Sequence, residues 1–285
     1  MSAHDPSAAT PAELLRQRVA DDPSTPLVTF YDDATGERVE LSARTFDNWV
    51  AKTANFLVDG LGAEPGDRVV LVLPPHWQTA VWLLACWSAG LVAEPVDPAA
   101  VRGRDAGEPI GSSGPYILAA AQEVLDEVLA DGEAEEIVGL SLHSLGGPLA
   151  DCPPGVTDYA EEVRAYGDRF SPGRAVTPGA PALHVAAQNV TKATLSAGEL
   201  VGAARDAAEK WELDARDRLL VDMPFTTLDG VLIALLAPLA SGASVIIQRN
   251  FDKATLDRRA TVEHVTVVAG PPGPNDASGS PYRLS

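Results

Sequence analysis

The chain has 285 residues, 46% of them hydrophobic and 21% charged, which is material for one large globular core or two small ones. Asp and Glu number 40 against 21 Lys and Arg, a net charge of −19, which excludes broad docking on a nucleic-acid backbone or an anionic lipid surface, since both need clustered cations. The two cysteines, Cys86 and Cys152, are too few for a disulfide scaffold or a thiolate metal site.

Thr10-Pro11-Ala12-Glu13 is a capping box with proline at the first helical position, so the first helix starts there. Residues 27–31 and 38–41 flank the polar turn Asp32-Asp33-Ala34-Thr35-Gly36 and predict a hairpin. Ser42 caps a helix whose Phe46, Trp49, Val50, Thr53, Phe56 and Leu57 recur at helical spacing. Residues 68–73 form a continuous apolar strand, 77–88 a helix apolar nearly all round and stopped by Gly90, and 91–96 a second apolar strand. Strand, helix and strand make a βαβ unit, and uninterrupted apolar strands suit a parallel sheet covered on both faces. The pattern repeats more weakly as strands 116–119 and 137–142 around a helix at 121–129. A loop-rich stretch, 146–179, holds a short helix near 156–166. The alternation then resumes with strand 182–187, a helix capped by Ser196, strand 218–221, helix 228–240, strand 243–247, helix 253–262 and strand 265–268. Residues 269–285, rich in proline and glycine without apolar periodicity, read as a flexible tail. A tail at that place leaves a sheet edge or apolar patch open to self-association or to a protein partner. The fold class is α/β, with mostly parallel sheets covered by helices.

Motifs that would name a reaction are mostly missing. The sequence has no Gly-x-x-x-x-Gly-Lys phosphate loop and no Gly-x-Ser-x-Gly nucleophile elbow, and Gly60-Leu61-Gly62 precedes a strand where a dinucleotide fingerprint would follow one. His4, His76, His143, His184 and His264 are too scattered to form a ligand pair by spacing, and no metal site is expected. His143-Ser144 reads as a loop, Gly111-Ser112-Ser113-Gly114 as a turn with the alternative of an anion-binding loop, and Cys86 as core. Asp222 and Asp229 bracket a strand's carboxyl end, the usual ligand position in open α/β sheets, or serve as turn and cap residues. Residues 1–6 show no secretory pattern, and the longest apolar stretches, 81–93 and 231–240, fall short of a bilayer span, so the expected location is cytoplasmic.

Gly66-Asp67-Arg68-Val69-Val70-Leu71-Val72-Leu73-Pro74-Pro75, the apolar helix, and Ala89-Gly90-Leu91-Val92-Ala93-Glu94-Pro95-Val96-Asp97-Pro98 form one recognisable block. Leu195-Ser196, Asp217-Arg218-Leu219-Leu220, Met223-Pro224 and residues 230–238 form a second. Together they resemble the amino-terminal region of AMP-forming acyl-CoA synthetases, the superfamily that includes peptide-synthetase adenylation domains and luciferase. The loop-rich middle looks like a short actinobacterial branch of that superfamily with no assigned activity. The resemblance implies an incomplete N-terminal region over 1–268, with a first subdomain at about 10–145 and a second at about 180–268. The family's C-terminal domain, with its catalytic lysine, is expected to be absent.

The departures carry the functional expectation. Where the family has its glycine-rich ATP-phosphate loop, this chain has Ala186-Ala187-Gln188-Asn189-Val190-Thr191-Lys192-Ala193-Thr194, with no glycine between Gly179 and Gly198. Asn189, Thr191 and Lys192 are the polar remnants of a phosphate-loop position, and a nest of backbone amides usually needs glycine. The family's aromatic–His pair at the acyl site falls on Thr226-Thr227, with Asp229 close behind, as candidate substrate-binding residues. These substitutions imply a non-catalytic relative that binds a protein, acyl or nucleotide ligand, with residual ATP or AMP binding. The alternatives are a ligase half completed by another chain, and a repurposed nucleotide- or acyl-binding protein.

Overall fold

The computed structural model describes residues 8–103, 109–112, 114–129, 133–144, 146–173, 175–187, 190–270 and 282–284, with backbone alone at 186, 187, 190–192 and 282–284. The first helix, α1 (Pro11–Asp21), opens on the expected capping box: Thr10 accepts from the Glu13 amide while the Glu13 carboxylate reaches back to the Thr10 amide. The hairpin follows as β1 (Pro26–Asp32) and β2 (Glu37–Ser42), and Ser42 caps α2 (Ala43–Asn55). The βαβ unit is β3 (Arg68–Val72), α3 (Trp77–Ala89) and β4 (Val92–Val96). Every residue of α3 is buried, and Gly90 ends the helix at φ +78°, a left-handed conformation that disfavours a Cβ.

Next come α4 (Pro98–Val101), β5 (Tyr116–Ala121), α5 (Leu125–Val128), β6 (Ala134–Leu140), β7 (Val156–Asp158) and α6 (Tyr159–Glu162). The rest of the chain supplies β8 (Pro181–Ala187), β9 (Val190–Ser196), α7 (Ala197–Lys210), β10 (Arg218–Val221), α8 (Leu228–Val231), α9 (Ala237–Ser241), β11 (Ser244–Arg249), α10 (Leu256–Val262), β12 (Val267–Ala269) and β13 (Tyr282–Leu284). A π-helical stretch, Leu232–Leu236, joins α8 to α9, so the helix expected at 228–240 is one run with a widened turn.

Two mostly parallel sheets form, as the α/β class requires. One has the order β13-β12-β10-β11-β1-β2 and the other β7-β6-β5-β3-β4-β8-β9; the antiparallel pairs are β1–β2 and β8–β9. Helix α3 touches β4 of one sheet and β1 of the other, which puts Trp77, Trp82 and Trp87 in a core shared by both. The Trp87 indole N–H donates to the Ala182 carbonyl at 2.8 Å and ties β8 to this helix. Truncating a buried tryptophan to alanine typically costs about 3–5 kcal/mol, so α3 is a principal source of stability.

Sheet membership crosses the loop-rich middle of the chain: β1–β2 pairs into the sheet made by β10, β11 and β12, and β8–β9 extends the sheet made by β3 to β7. Strand pairing is decided by packing over the whole chain, and a loop-rich stretch in sequence is a poor guide to it. The helix expected at 121–129 is a 3₁₀ turn, Gln122–Val124, followed by the short α5. The stretch 156–166 begins with β7 before α6, and Asp158 caps that helix while also accepting from the Leu149 amide. Finally, the tail expected at 269–285 is not wholly tail, because Ala269 closes β12 and 282–284 pairs parallel to it as β13, covering the edge expected to lie open. Side-chain periodicity cannot signal a three-residue strand, since its backbone pairing alone defines it.

Candidate functional site

The connection between β8 and β9 stands where a phosphate loop was expected. Ala187 pairs with Val190, and the pairing continues through Val185–Ala193 and His184–Thr194 to Pro181–Ser196. Asn189 lies outside the described residues, whereas Thr191 and Lys192 belong to β9. An antiparallel ladder commits alternate amides to its partner strand, whereas a phosphate nest needs successive amides free. His184 Nδ1 lies 2.8 Å from Thr194 Oγ1 across the same hairpin.

Thr226, Thr227 and Asp229 follow the carboxyl end of β10. Thr227 caps α8 by accepting from the Gly230 amide at 3.1 Å, and Asp229 is exposed in the first helical turn, where a carboxylate suits the helix dipole. A Cβ at Gly230 would sit 1.9 Å from the Pro224 carbonyl oxygen, so glycine is required for this helix to start against its own loop. Helix α8 packs on β8, so the two candidate sets occupy neighbouring elements.

The other sequence candidates resolve into structure. The Ser112 amide and hydroxyl both donate to the buried Glu94 carboxylate, at 3.1 and 3.0 Å, so the turn at 111–114 does engage an anion, and that anion is the chain's own. His143 and Ser144 line an open groove of about 850 Å³ with Trp49 and Trp77, inside a turn closed by a Gly146 N–H to His143 carbonyl bond of 2.8 Å. Cys86 is fully buried and burial pushes its thiol far up, as suits core packing. No group of three or more His, Cys, Asp or Glu suited to a metal occurs among the described residues.

A different place gathers the chemistry that spacing could not reveal. In the order β7-β6-β5-β3-β4, the chain leaves β3 for β4 on one side and returns to β5 on the other, so the connections diverge between β3 and β5. Open parallel sheets bind ligands at such a point, outside the carboxyl ends of the strands. His76 follows β3, Arg102 follows β4 and α4, and Glu123 follows β5. Arg249, the last residue of β11, comes from the opposite sheet. Its Nη2 lies 2.5 Å from Glu123 Oε2, and Arg102 Nη2 lies 3.8 Å from Glu123 Oε1.

The Arg249 corner is firmly built. Asn250 adopts φ +51°, its side-chain Nδ2 donates to Asp32 Oδ1 at 2.9 Å, and the Asp33 backbone amide donates to the Arg249 carbonyl at 3.1 Å. His76 is fully buried against Phe30 and accepts from the Gln78 amide at Nδ1, 3.1 Å away. Burial, with the nearby Arg249 charge, pushes its pKa down to about 3, so the ring is neutral with its proton on Nε2, which has no hydrogen-bond partner among the described residues. Burial and Asp32 push the Glu37 carboxyl up, while Arg249 and His143 pull it down. Burial and Asp33 likewise push Asp222 up at the end of β10, opposed by Lys253.

A second carboxylate, Glu263 after α10, has a different setting. Arg38 Nε and Arg218 Nη2 donate to it at 2.9 and 2.5 Å, and the Tyr31 hydroxyl donates as well. Burial alone would raise this carboxyl, yet the bonds from Arg38, Tyr31 and Arg218 outweigh it and hold the pKa down to about 2. The cluster clasps α10 to β1, β2 and β10.

The AMP-binding enzyme family description matches residues 15–174. The chain belongs to that family. A protein of Mycobacterium tuberculosis known by a family designation alone is 40% identical to this AMP-binding family member over 248 residues, covering 87% of this chain and 92% of that one. A sulfoacetate–CoA ligase of Cupriavidus necator is 28% identical over 250 residues, which are 85% of this chain and 45% of the ligase. Among solved structures, an acyl-CoA synthetase of Brucella canis superposes with a TM-score of 0.75 at 16% identity, covering 91% of this chain and 47% of the synthetase. A long-chain-fatty-acid CoA ligase from Rhodopseudomonas palustris gives 0.72 at 21% identity, covering 92% and 63%. The family member thus matches the mycobacterial relative over nearly its whole length, and spans about half of the two ligases and synthetases just compared over 45% and 47%. No helix among the described residues is long and apolar enough to cross a membrane.

Proposed function

We propose that this AMP-binding family member is a non-catalytic binding module that holds a small acyl or nucleotide ligand at the carboxyl ends of its strands and does not activate it. The observation that carries the reading is the β8–β9 hairpin: an antiparallel ladder with no glycine between Gly179 and Gly198 stands in the phosphate-loop position. Adenylation needs the triphosphate clamped and its developing charge stabilised, and a ladder that spends its amides on pairing has few to offer for that. Thr227 supports the same reading, since its hydroxyl is engaged in capping α8 at the acyl position.

The test is ATP–pyrophosphate exchange by the purified chain with a panel of carboxylic acids that includes sulfoacetate, the acid in the name of the Cupriavidus ligase. The expected result is exchange at background, together with a rise in melting temperature on adding AMP, because a ligand that binds the folded form stabilises it. Exchange above background with any acid overturns the proposal.

A further inference from the structure

We infer that Arg249 and Arg102 form an oxyanion-binding site, for a phosphate or carboxylate group of a ligand, and that Glu123 occupies it as an internal competitor. The inference deepens the binding-module reading by naming the ligand's chemistry.

The two arginines converge on one carboxylate from different sheets. Arg249 closes β11 of the six-stranded sheet, and Arg102 follows β4 of the seven-stranded sheet. The carboxylate they share stands two residues beyond β5, beside the point where the connections from β3 diverge. Arginine is suited to this task because its planar fork matches the two oxygens of a carboxylate or phosphate.

The two sides of the pair differ in how they are held. The backbone around Arg249 is pinned by the Asn250–Asp32 and Asp33–Arg249 hydrogen bonds, and the Arg249 side chain is only 19% exposed. Glu123, in the 3₁₀ turn after β5, is 40% exposed, and Arg102, just after α4, is 56% exposed. A rigid cation facing an exposed carboxylate can exchange that carboxylate for a ligand's, because an exposed ion pair is worth little. His76 provides an independent sign. It lies within electrostatic reach of Arg249 and is fully buried, with a protonated Nε2 that no group among the described residues satisfies. A buried donor left without a partner is destabilising, and the proton on this ring adds to the polar groups gathered where β3 ends.

The contrast with Glu94 sharpens the assignment. Glu94 is 1% exposed and takes three contacts from Ser112 together with an Arg68 contact at 3.8 Å, which makes it a permanent internal anion. Glu123 has neither that burial nor any hydrogen bond from a backbone amide among the described residues.

The experiment is calorimetric titration of the full chain with inorganic phosphate and, separately, with acetate, for the wild type, Glu123→Gln, Arg249→Gln and Arg102→Gln, each checked for folding by circular dichroism. Removing the competitor should tighten binding of at least one anion about fivefold, the value of a strong exposed ion pair. Arg249→Gln should abolish that binding, and Arg102→Gln should weaken it. Should Arg249→Gln fail to fold, the exposed Arg102→Gln variant decides the outcome. A gain with phosphate assigns a phosphate-bearing ligand; a gain with acetate alone assigns a carboxylic acid. Equal affinities in wild type and Glu123→Gln, or indifference to the arginine replacements, overturn the inference. Because anion affinity is read without turnover, exchange activity would defeat the binding-module proposal and leave this site standing.

Discussion

Glu263 and Glu123 are both acids held by two arginines, and their surroundings give them opposite roles. Glu263 is 8% exposed and receives bonds from Arg38, Arg218 and Tyr31, so three strands and a helix depend on its charge. Glu123 sits beyond a strand end, exposed, between an Arg249 that is 19% exposed and an Arg102 that is 56% exposed. An acid buried under three donors serves the fold. One that stands exposed at a strand end can give way to a ligand.

The comparison can be broken most sharply at Glu263. Glu263→Gln removes the charge while leaving Arg38 and Arg218 facing each other in a half-buried site, and should cost on the order of 3 kcal/mol in urea denaturation. A loss under about 1 kcal/mol would place Glu263 with ordinary surface pairs. Acid titration of stability gives the next effect. The folded-state pKa of Glu263 is depressed to about 2 from the ordinary value of 4.5, so its contribution is complete above 4.5 and is lost as pH falls toward 2. The wild type should therefore lose stability across that window more steeply than Glu263→Gln, which carries no titrating group there. Parallel curves would sink the assignment. The smallest effect is expected at Glu123: Glu123→Gln should change stability by less than about 1 kcal/mol while altering anion affinity. A large stability loss there would make the two carboxylates alike.

Much of the fold was legible in the chain because its signals are local. The Thr10 and Ser42 caps, the apolar α3, and the left-handed Gly90 each depend on residues within a turn or two of one another. The candidate site was legible only in part. Thr226, Thr227 and Asp229 follow the carboxyl end of β10, but the capping role of Thr227 depends on a backbone geometry in which position 230 has no room for a Cβ beside Pro224. Thr191 and Lys192 fell on a strand because β9 finds its partner in β8 and its stability in the sheet, which an apparent loop composition does not encode.

Residue order alone therefore determined the α/β alternation, the helix caps and the largely apolar helix between the sheets, because propensity, capping and burial periodicity act over a few residues. Tertiary structure decided which sheet received the first hairpin, how β7, β9 and β13 joined their sheets, and that Arg249 meets Glu123 across 126 residues of chain. Those outcomes are differences between competing long-range pairings, and their energies exist only once the strands are assembled.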